Sequence, residues 1–545
     1  MHPSRPKELS MGFSLYLGPF QPFLENQLLE AYGKFRGQDP FSPLAVLVPN
    51  HLLTGHLRKI LAEKAGGIFN LRIQTLRHYL DEVTGDLAAE GGGKALPDVL
   101  IPWVLKEVAR PHLGPGSFFA PVAQTPGFPI ALRATLLELQ QGLFTPSDLK
   151  KTGEAVRKDS SGRKLAQKLE TFAAIQKAYE EWKAKGGWMD REDFYAAALR
   201  SKPPEGAVWV YGFYDAPALQ RKLLVHLAQA GPSCWFIPFD RHPAFEYAKS
   251  FVEWAKGLGQ VKAEENWKSE KHSALARLQA SVFLEPDGGP GAPGVSFEES
   301  DLKILLCPGE PREAKETVRT LLSEADRVDS VFPDCAVLLR EPDAYRGLLA
   351  AAFRDLDAPL SRAPEGSLLE SLEAKTLLIL LDCLTGDFPR NAVMDLLSST
   401  VLDPAGFGLQ EGDWNPPLWD VISREAKIVE EKIEWLRRLS AWVSMKSKKN
   451  AEEEDRETSL QAKLSAKNLE QVLKKLFDAR SRFEAKKTWP DKALELSQTF
   501  RALSRGPLVE QVASVLESFG KLGESLPLPL EKEDFYSLVM SLLDG

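Results

Sequence analysis

Hydrolysis of a nucleoside triphosphate needs a cradle of backbone N–H groups and a lysine after one strand, and magnesium-binding carboxylates at the end of another. The first place to look follows the apolar run Phe13–Leu17. It reads Gly18-Pro19-Phe20-Gln21-Pro22-Phe23-Leu24-Glu25. This stretch holds one glycine and neither lysine, serine nor threonine, and its two prolines remove N–H donors that a phosphate would need. Gly18, Gln21 and Glu25 therefore mark a degenerate phosphate loop. A later string, Gly91-Gly92-Gly93-Lys94, follows a helical pattern instead of a strand, and Ala95 stands where a hydroxyl is required, so it reads as a flexible loop.

Metal-assisted cleavage of a phosphodiester needs paired carboxylates and a lysine gathered at a strand end. Pro490-Asp491-Lys492 and Pro333-Asp334 are the nearest strings. Neither precedes an apolar strand bearing Glu-x-Lys, and both read as turns. His51 and His56 stand five apart, a spacing that does not share a helical face, and His242 beside Asp240 lacks a visible third ligand. Cys234, Cys307, Cys335 and Cys383 have no C-x-x-C spacing. The expectation is a chain with no catalytic residue, no metal and no cofactor.

The elements that would carry these residues alternate between strand and helix. Phe13–Leu17, Leu44–Val48 (LAVLV) and Asn70–Thr75 (NLRIQT) predict strands, with helical periodicity between and after them. Uninterrupted apolar runs suit central parallel strands, so residues 12–85 read as the first half of a parallel α/β domain. Residues 86–203 lose the strand signal and read as a helical insertion. Strands return at Ala207–Val210 and Cys234–Ile237, which makes 204–284 the second half. Residues 285–300, rich in glycine and proline, read as a linker. Residues 301–405 read as a second α/β domain, with strands at Leu302–Leu306 and Cys335–Leu339. Residues 406–545 read as helical. At 545 residues the chain needs more than one core. Its net charge of −8 gives no overall basic field for nucleic acid, although a local basic groove stays compatible with it. Met1–Met11 is polar and carries no signal-peptide core, Met11 is a possible start, and the apolar run Leu377–Leu381 is too short to span a membrane. With these cysteines, a reduced cytoplasmic setting fits best.

This order of segments resembles the superfamily 1 helicases of the UvrD kind, in which each RecA-like domain carries a helical insertion. The resemblance starts at Val208-Trp209-Val210-Tyr211-Gly212-Phe213-Tyr214-Asp215-Ala216-Pro217-Ala218-Leu219-Gln220. Phe213, Asp215 and Gln220 set a register that places Tyr211 and Gly212 where active members have an Asp-Glu pair. Tyrosine and glycine can neither hold magnesium nor activate water. Together with Val48-Pro49-Asn50, the stretch is similar to the AddB-type subunits of bacterial helicase–nucleases and to the related RecC-like fold. Pro308-Gly309-Glu310-Pro311-Arg312-Glu313-Ala314, Ala336–Tyr345 and Leu356-Asp357-Ala358-Pro359 resemble elements of the same family. The resemblance covers roughly residues 12–85 and 205–400. It implies an α/β fold of two RecA-like parallel-sheet domains with large helical insertions. Typical members keep a phosphate loop and end in a PD-(D/E)XK nuclease domain with iron–sulfur cysteines. This sequence departs from them on both points.

The resemblance further implies a subunit that binds or channels single-stranded or forked DNA in double-strand break repair and recombination. It would work beside an ATPase-competent AddA-type helicase–nuclease subunit and away from membranes. Thr75 and Arg77, with Arg72 and His78 as neighbours, follow the third strand, where the family contacts phosphates, and Asn50 occupies another strand-to-helix turn. Hydroxyl, guanidinium and amide groups suit phosphates. The alternative is that Thr75 and Asn50 only cap the helices they precede. Arg340 faces either an interdomain cleft or solvent. Two other functional readings stay open. One is the front part of a DNA exonuclease whose nuclease domain lies beyond Gly545; the other is a protein-interaction scaffold without DNA contact.

Overall fold

A computed structural model describes residues 13–89, 93–125, 127–157, 162–203, 205–265, 283, 303–328, 335–360, 367–449, 456–523, 526 and 532–544. Met1–Met11, the 285–300 linker, Pro333-Asp334 and Gly91-Gly92 lie outside the described residues. The chain divides into two compact units, Met1–Ile304 and Leu305–Gly545.

The first unit is built on a six-stranded parallel sheet. Its strands are β1 (Phe13–Gly18), β2 (Leu44–Val48), β3 (Leu71–Thr75), β6 (Ala207–Tyr211), β7 (Ser233–Pro238) and β8 (Gln260–Glu264), in the order β3-β2-β6-β7-β1-β8. Two-residue strands β4 (Lys94–Ala95) and β5 (Trp188–Met189) pair separately. Side chains alternate between the two faces, as strand geometry demands. Leu15, Leu17, Leu47, Val208, Val210, Trp235 and Ile237 enter one core. Val46, Val48, Trp209, Tyr211 and Phe236 enter the other. Both faces are therefore buried, which explains why β2 and β6 are apolar at every position. The two buried indoles of the sheet are satisfied: Trp209 Nε1 donates to Pro232 O at 3.1 Å and Trp235 Nε1 to Ser233 Oγ at 3.1 Å.

Helices α1 (Glu25–Gln38), α2 (His51–Lys64) and α3 (Leu76–Ala89) follow the first three strands. Helices α4 (Ile101–Ala109), α5 (Phe128–Gln141), α6 (Pro146–Val156), α7 (Arg163–Gly186) and α8 (Arg191–Ala198) then fill the interval before β6. Helices α9 (Ala218–Ala228) and α10 (Lys249–Lys256) follow β6 and β7. Strand β8 has no counterpart among the sequence expectations. Its alternation of exposed and half-buried residues, QVKAE, is that of a solvent-facing edge strand.

The second unit opens with α11 (Glu310–Val328) and α12 (Pro342–Asp355), which pack through Ala314, Val318, Leu349, Ala352 and Phe353. Val337 and Leu339 lie against this pair. The strands expected at Leu302–Leu306 and Cys335–Leu339 are not realised as strands among the described residues, where residues 303–307 and 335–339 carry no ladder. Val337 and Leu339 have one side to pack against, while Leu338, Ile304 and Leu306 are 93%, 83% and 95% exposed, so neither run has the two covered faces of a central strand. From Leu372–Thr385 to Lys532–Asp544 the unit is helical, around fully buried Trp419, Trp435, Phe388, Phe407, Phe477 and Phe500. No helix among the described residues is long and apolar enough to cross a membrane.

Candidate functional site

All six strands are parallel, so their carboxyl ends share one edge. Chain direction across the sheet reverses there, because β2 and β3 step away from β1 while β6 and β7 return to fill the gap. Such an edge is where open α/β sheets hold ligands. Gly18 ends β1 opposite Pro238, and Tyr211 ends β6 opposite Phe236.

At the ends of β1 and β6 the space is filled by the protein's own groups. A Cβ at Gly18 would lie 2.5 Å from the Phe23 ring and 2.9 Å from Glu265 O. Gly212 has φ +83°, and a Cβ there would lie 2.7 Å from Leu53 Cδ1 and 3.4 Å from Phe20 Cε1. Phe20 approaches Tyr211 with ring centroids 5.9 Å apart. Tyr211 is fully buried, and burial pushes its phenol well above the ordinary tyrosine range, with the charge of Glu25 adding to the effect.

Backbone donors of this turn are also consumed internally. Leu24 N–H donates to Pro19 O at 3.1 Å, and Glu25 N–H to the carbonyls of Phe20 and Pro22. The anion at the start of α1 is the chain's own Glu25. Its Oε1 accepts from Gln21 Nε2 at 2.8 Å and stands 2.8 Å from His56 Nε2. A carboxylate in the first turn of a helix is stabilised by the amide dipoles, as a phosphate would be. Sequence reading flagged Gln21 and Glu25 as a degenerate loop but missed His56, which lies 31 residues away.

Of the four candidate DNA contacts, Thr75 ends β3 and Asn50 and Arg77 stand where α2 and α3 begin on this edge, while Arg72 is the second residue of β3, near its amino end. Asn50 Oδ1 accepts from Leu53 N at 3.2 Å, and Thr75 Oγ1 from His78 N at 3.2 Å, so both act as caps. The Arg72 and Arg77 side chains are 72% and 65% exposed. Arg72 lies 3.6 Å from Glu82, and Arg77 lies 3.9 Å from Asp81. Glu82 also accepts from Gln74 Nε2 at 3.1 Å and stands 3.4 Å from His78 Nε2. Exposed pairs of this kind contribute little to stability, so a polyanion can compete for the two arginines.

The remaining candidates have structural roles. Asp491 N–H donates to Thr488 Oγ1 at 3.3 Å, so Pro490-Asp491-Lys492 forms the first turn of the helix Trp489–Leu503. His242 Nδ1 accepts from Ala244 N at 3.2 Å and starts the short helical turn Pro243–Ala248. Arg340 is exposed in the second unit, beside Tyr345 and Glu313 around one cavity. Among the described residues no group of three metal-ligating side chains converges. All four cysteines are free, and burial pushes the Cys234 and Cys383 thiols up to about 12.

Fold and site together define a class: an α/β chain with a doubly wound parallel sheet, the ends of whose β1 and β6 are packed by its own aromatic rings with Glu25 alongside. No protein-family model matches the chain. It is 26% identical over 386 residues to the B subunit of the ATP-dependent helicase/deoxyribonuclease of Moorella thermoacetica, covering 64% of this chain and 32% of that protein. The same-named protein of Pelotomaculum thermopropionicum is 23% identical over 365 residues, 61% of this chain and 30% of that one. That of Bacillus subtilis is 20% identical over 323 residues, 55% of this chain and 27% of that one. The chain thus spans about a third of the length of the curated relatives it matches. These relatives agree with the AddB-type resemblance carried by the motifs.

Proposed function

We propose that this chain is an AddB-type, helicase-fold subunit that holds DNA within a helicase–nuclease complex for double-strand break repair, and that it does not itself hydrolyse ATP. Support for the first part comes from the three helicase/deoxyribonuclease relatives. The second part is supported by one observation: Phe20, Phe23, Leu53 and Tyr211 pack around Gly18 and Gly212 at the ends of β1 and β6, which leaves no room there for a nucleotide's phosphates. Tyr211 and Gly212 offer no carboxylate to a magnesium ion. ATP-driven movement then belongs to an AddA-type partner. This chain's sheet edge, with Arg77, Thr75 and Asn50 and with Arg72 further back on β3, guides a single strand.

Because the net charge is −8, binding rests on a local contact set and falls steeply with salt. Fluorescence anisotropy with single-stranded and forked oligonucleotides, between roughly 50 and 200 mM salt, tests this. The expected result is binding at low salt, with a log–log salt slope that shrinks by roughly 0.7 for each of Arg72→Ala and Arg77→Ala. Absence of binding at the lowest salt overturns the DNA reading in favour of a scaffold.

A further inference from the structure

Two exposed aromatic rings and a half-buried one stand together beyond the carboxyl edge of the sheet, and the cap, plug and core contacts described above use none of them. Tyr214 follows β6 and is 45% exposed; Tyr247 follows β7 and is 59% exposed. Their ring centroids lie 5.3 Å apart at 87°. Phe245 lies nearly parallel to Tyr247, at 6.3 Å and 21°. Phe245 also lines a cavity of about 330 Å³ with Arg241, His242, Glu246 and Lys249. The Arg241 and Lys249 side chains are 73% and 54% exposed and lie 3.6 Å from Glu264 and 3.2 Å from Glu246, weak pairs that a polyanion can compete for.

Water-exposed tyrosine faces beside exposed cations are well suited to flat, uncharged rings carried on a polyanion. Their position adds to this. Neighbouring strands lie about 4.8 Å apart, and the edge runs in the order β3, β2, β6, β7. Arg77 and Asn50 therefore stand on the same edge as Tyr214 and Tyr247, within the reach of a few nucleotides. We infer that Tyr214, Tyr247 and Phe245 form a base-stacking platform for single-stranded DNA whose phosphates run past Arg241 and Lys249. This deepens the DNA reading above and rests on it.

The test uses the full chain with an oligothymidine carrying one 2-aminopurine, and with the same oligonucleotide carrying abasic positions. Stacking predicts quenched 2-aminopurine fluorescence on binding and weaker binding of the abasic strand. Tyr214→Ala and Tyr247→Ala each lower affinity about tenfold with an unchanged salt slope, while Tyr247→Trp retains it. Parent-like affinity and quenching in both alanine variants overturn the platform and leave the DNA reading standing. A parent chain that binds no oligonucleotide at low salt overturns both.

Discussion

Lys183→Met lowers the stability of the first unit by about 3–5 kcal/mol, because it strands a carboxylate that the fold buries completely. The Asp190 side chain is 0% exposed and that of Lys183 4%. Lys183 Nζ lies 2.7 Å from Asp190 Oδ2, which also accepts from Tyr179 Oη at 3.1 Å and from Gln140 Nε2 at 3.1 Å. Asp190 in turn caps α8 through Asp193 N–H at 2.9 Å. Burial alone would push the Asp190 carboxyl up; Lys183 and the hydrogen bonds outweigh it and hold the group below the usual carboxylate range. A depressed folded value means stability that is present above the unfolded value, about 3.9, and lost as pH falls through the folded one. Without Lys183 the sign reverses for Asp190, so the variant's deficit narrows as acid protonates the carboxyl. Urea denaturation followed by tryptophan fluorescence, at neutral pH and in mild acid, measures both effects. A Lys183→Met/Asp190→Asn double variant recovers part of the loss. A single variant within about 1 kcal/mol of the parent would remove this network from the account.

Tyr211→Asp puts an acidic residue back at the strand end where active helicases have one, and it yields a weaker protein without ATPase activity. The phenol is enclosed by Phe20 and Phe236, at centroid distances of 5.9 and 5.8 Å, so the change leaves a cavity. It also places a carboxyl in a site without a cation, close enough to Glu25 for that charge to act on Tyr211. Cavity and buried charge together cost about 4 kcal/mol or more. Burial raises the new group's folded pKa, so its protonated form folds better and the deficit grows as pH rises from about 4 to about 7. Thermal unfolding across that pH range, paired with a phosphate-release assay, is the check. A parent-like melting temperature with measurable ATP turnover would contradict the plugged-site account.

How much of this was legible in the sequence depends on how locally each feature is encoded. Central strands declare themselves because burial on both faces leaves no polar position, as in LAVLV at Leu44–Val48 and AVWVY at Ala207–Tyr211. The turn after β1 is contiguous, so its two prolines and its lack of lysine, serine and threonine are readable directly. Edge strand β8 was not, because QVKAE alternates charge and small apolar groups much as a loop does. His56 joins Glu25 across 31 positions, and Tyr214 meets Tyr247 through neighbouring strand ends, so only the sheet order reveals either pair. Lys183 sits in a lysine-rich helix end that reads as solvated surface, and its burial follows from the α7–α8 turn. In the second unit the apolar runs at 303–307 and 335–339 were legible, but a strand is completed only by its neighbour, and local sequence does not carry that neighbour.

We propose that the chain's own side chains stand where a helicase fold would hold its nucleotide. Titration of magnesium-ATP into the purified chain, by calorimetry and with a fluorescent ATP analogue, tests it most directly. The account predicts no saturable binding up to millimolar nucleotide and no DNA-stimulated hydrolysis, in the same preparation that binds single-stranded DNA. One-to-one binding in the micromolar range, or phosphate release that disappears on changing Glu25 or Gly18, would contradict it.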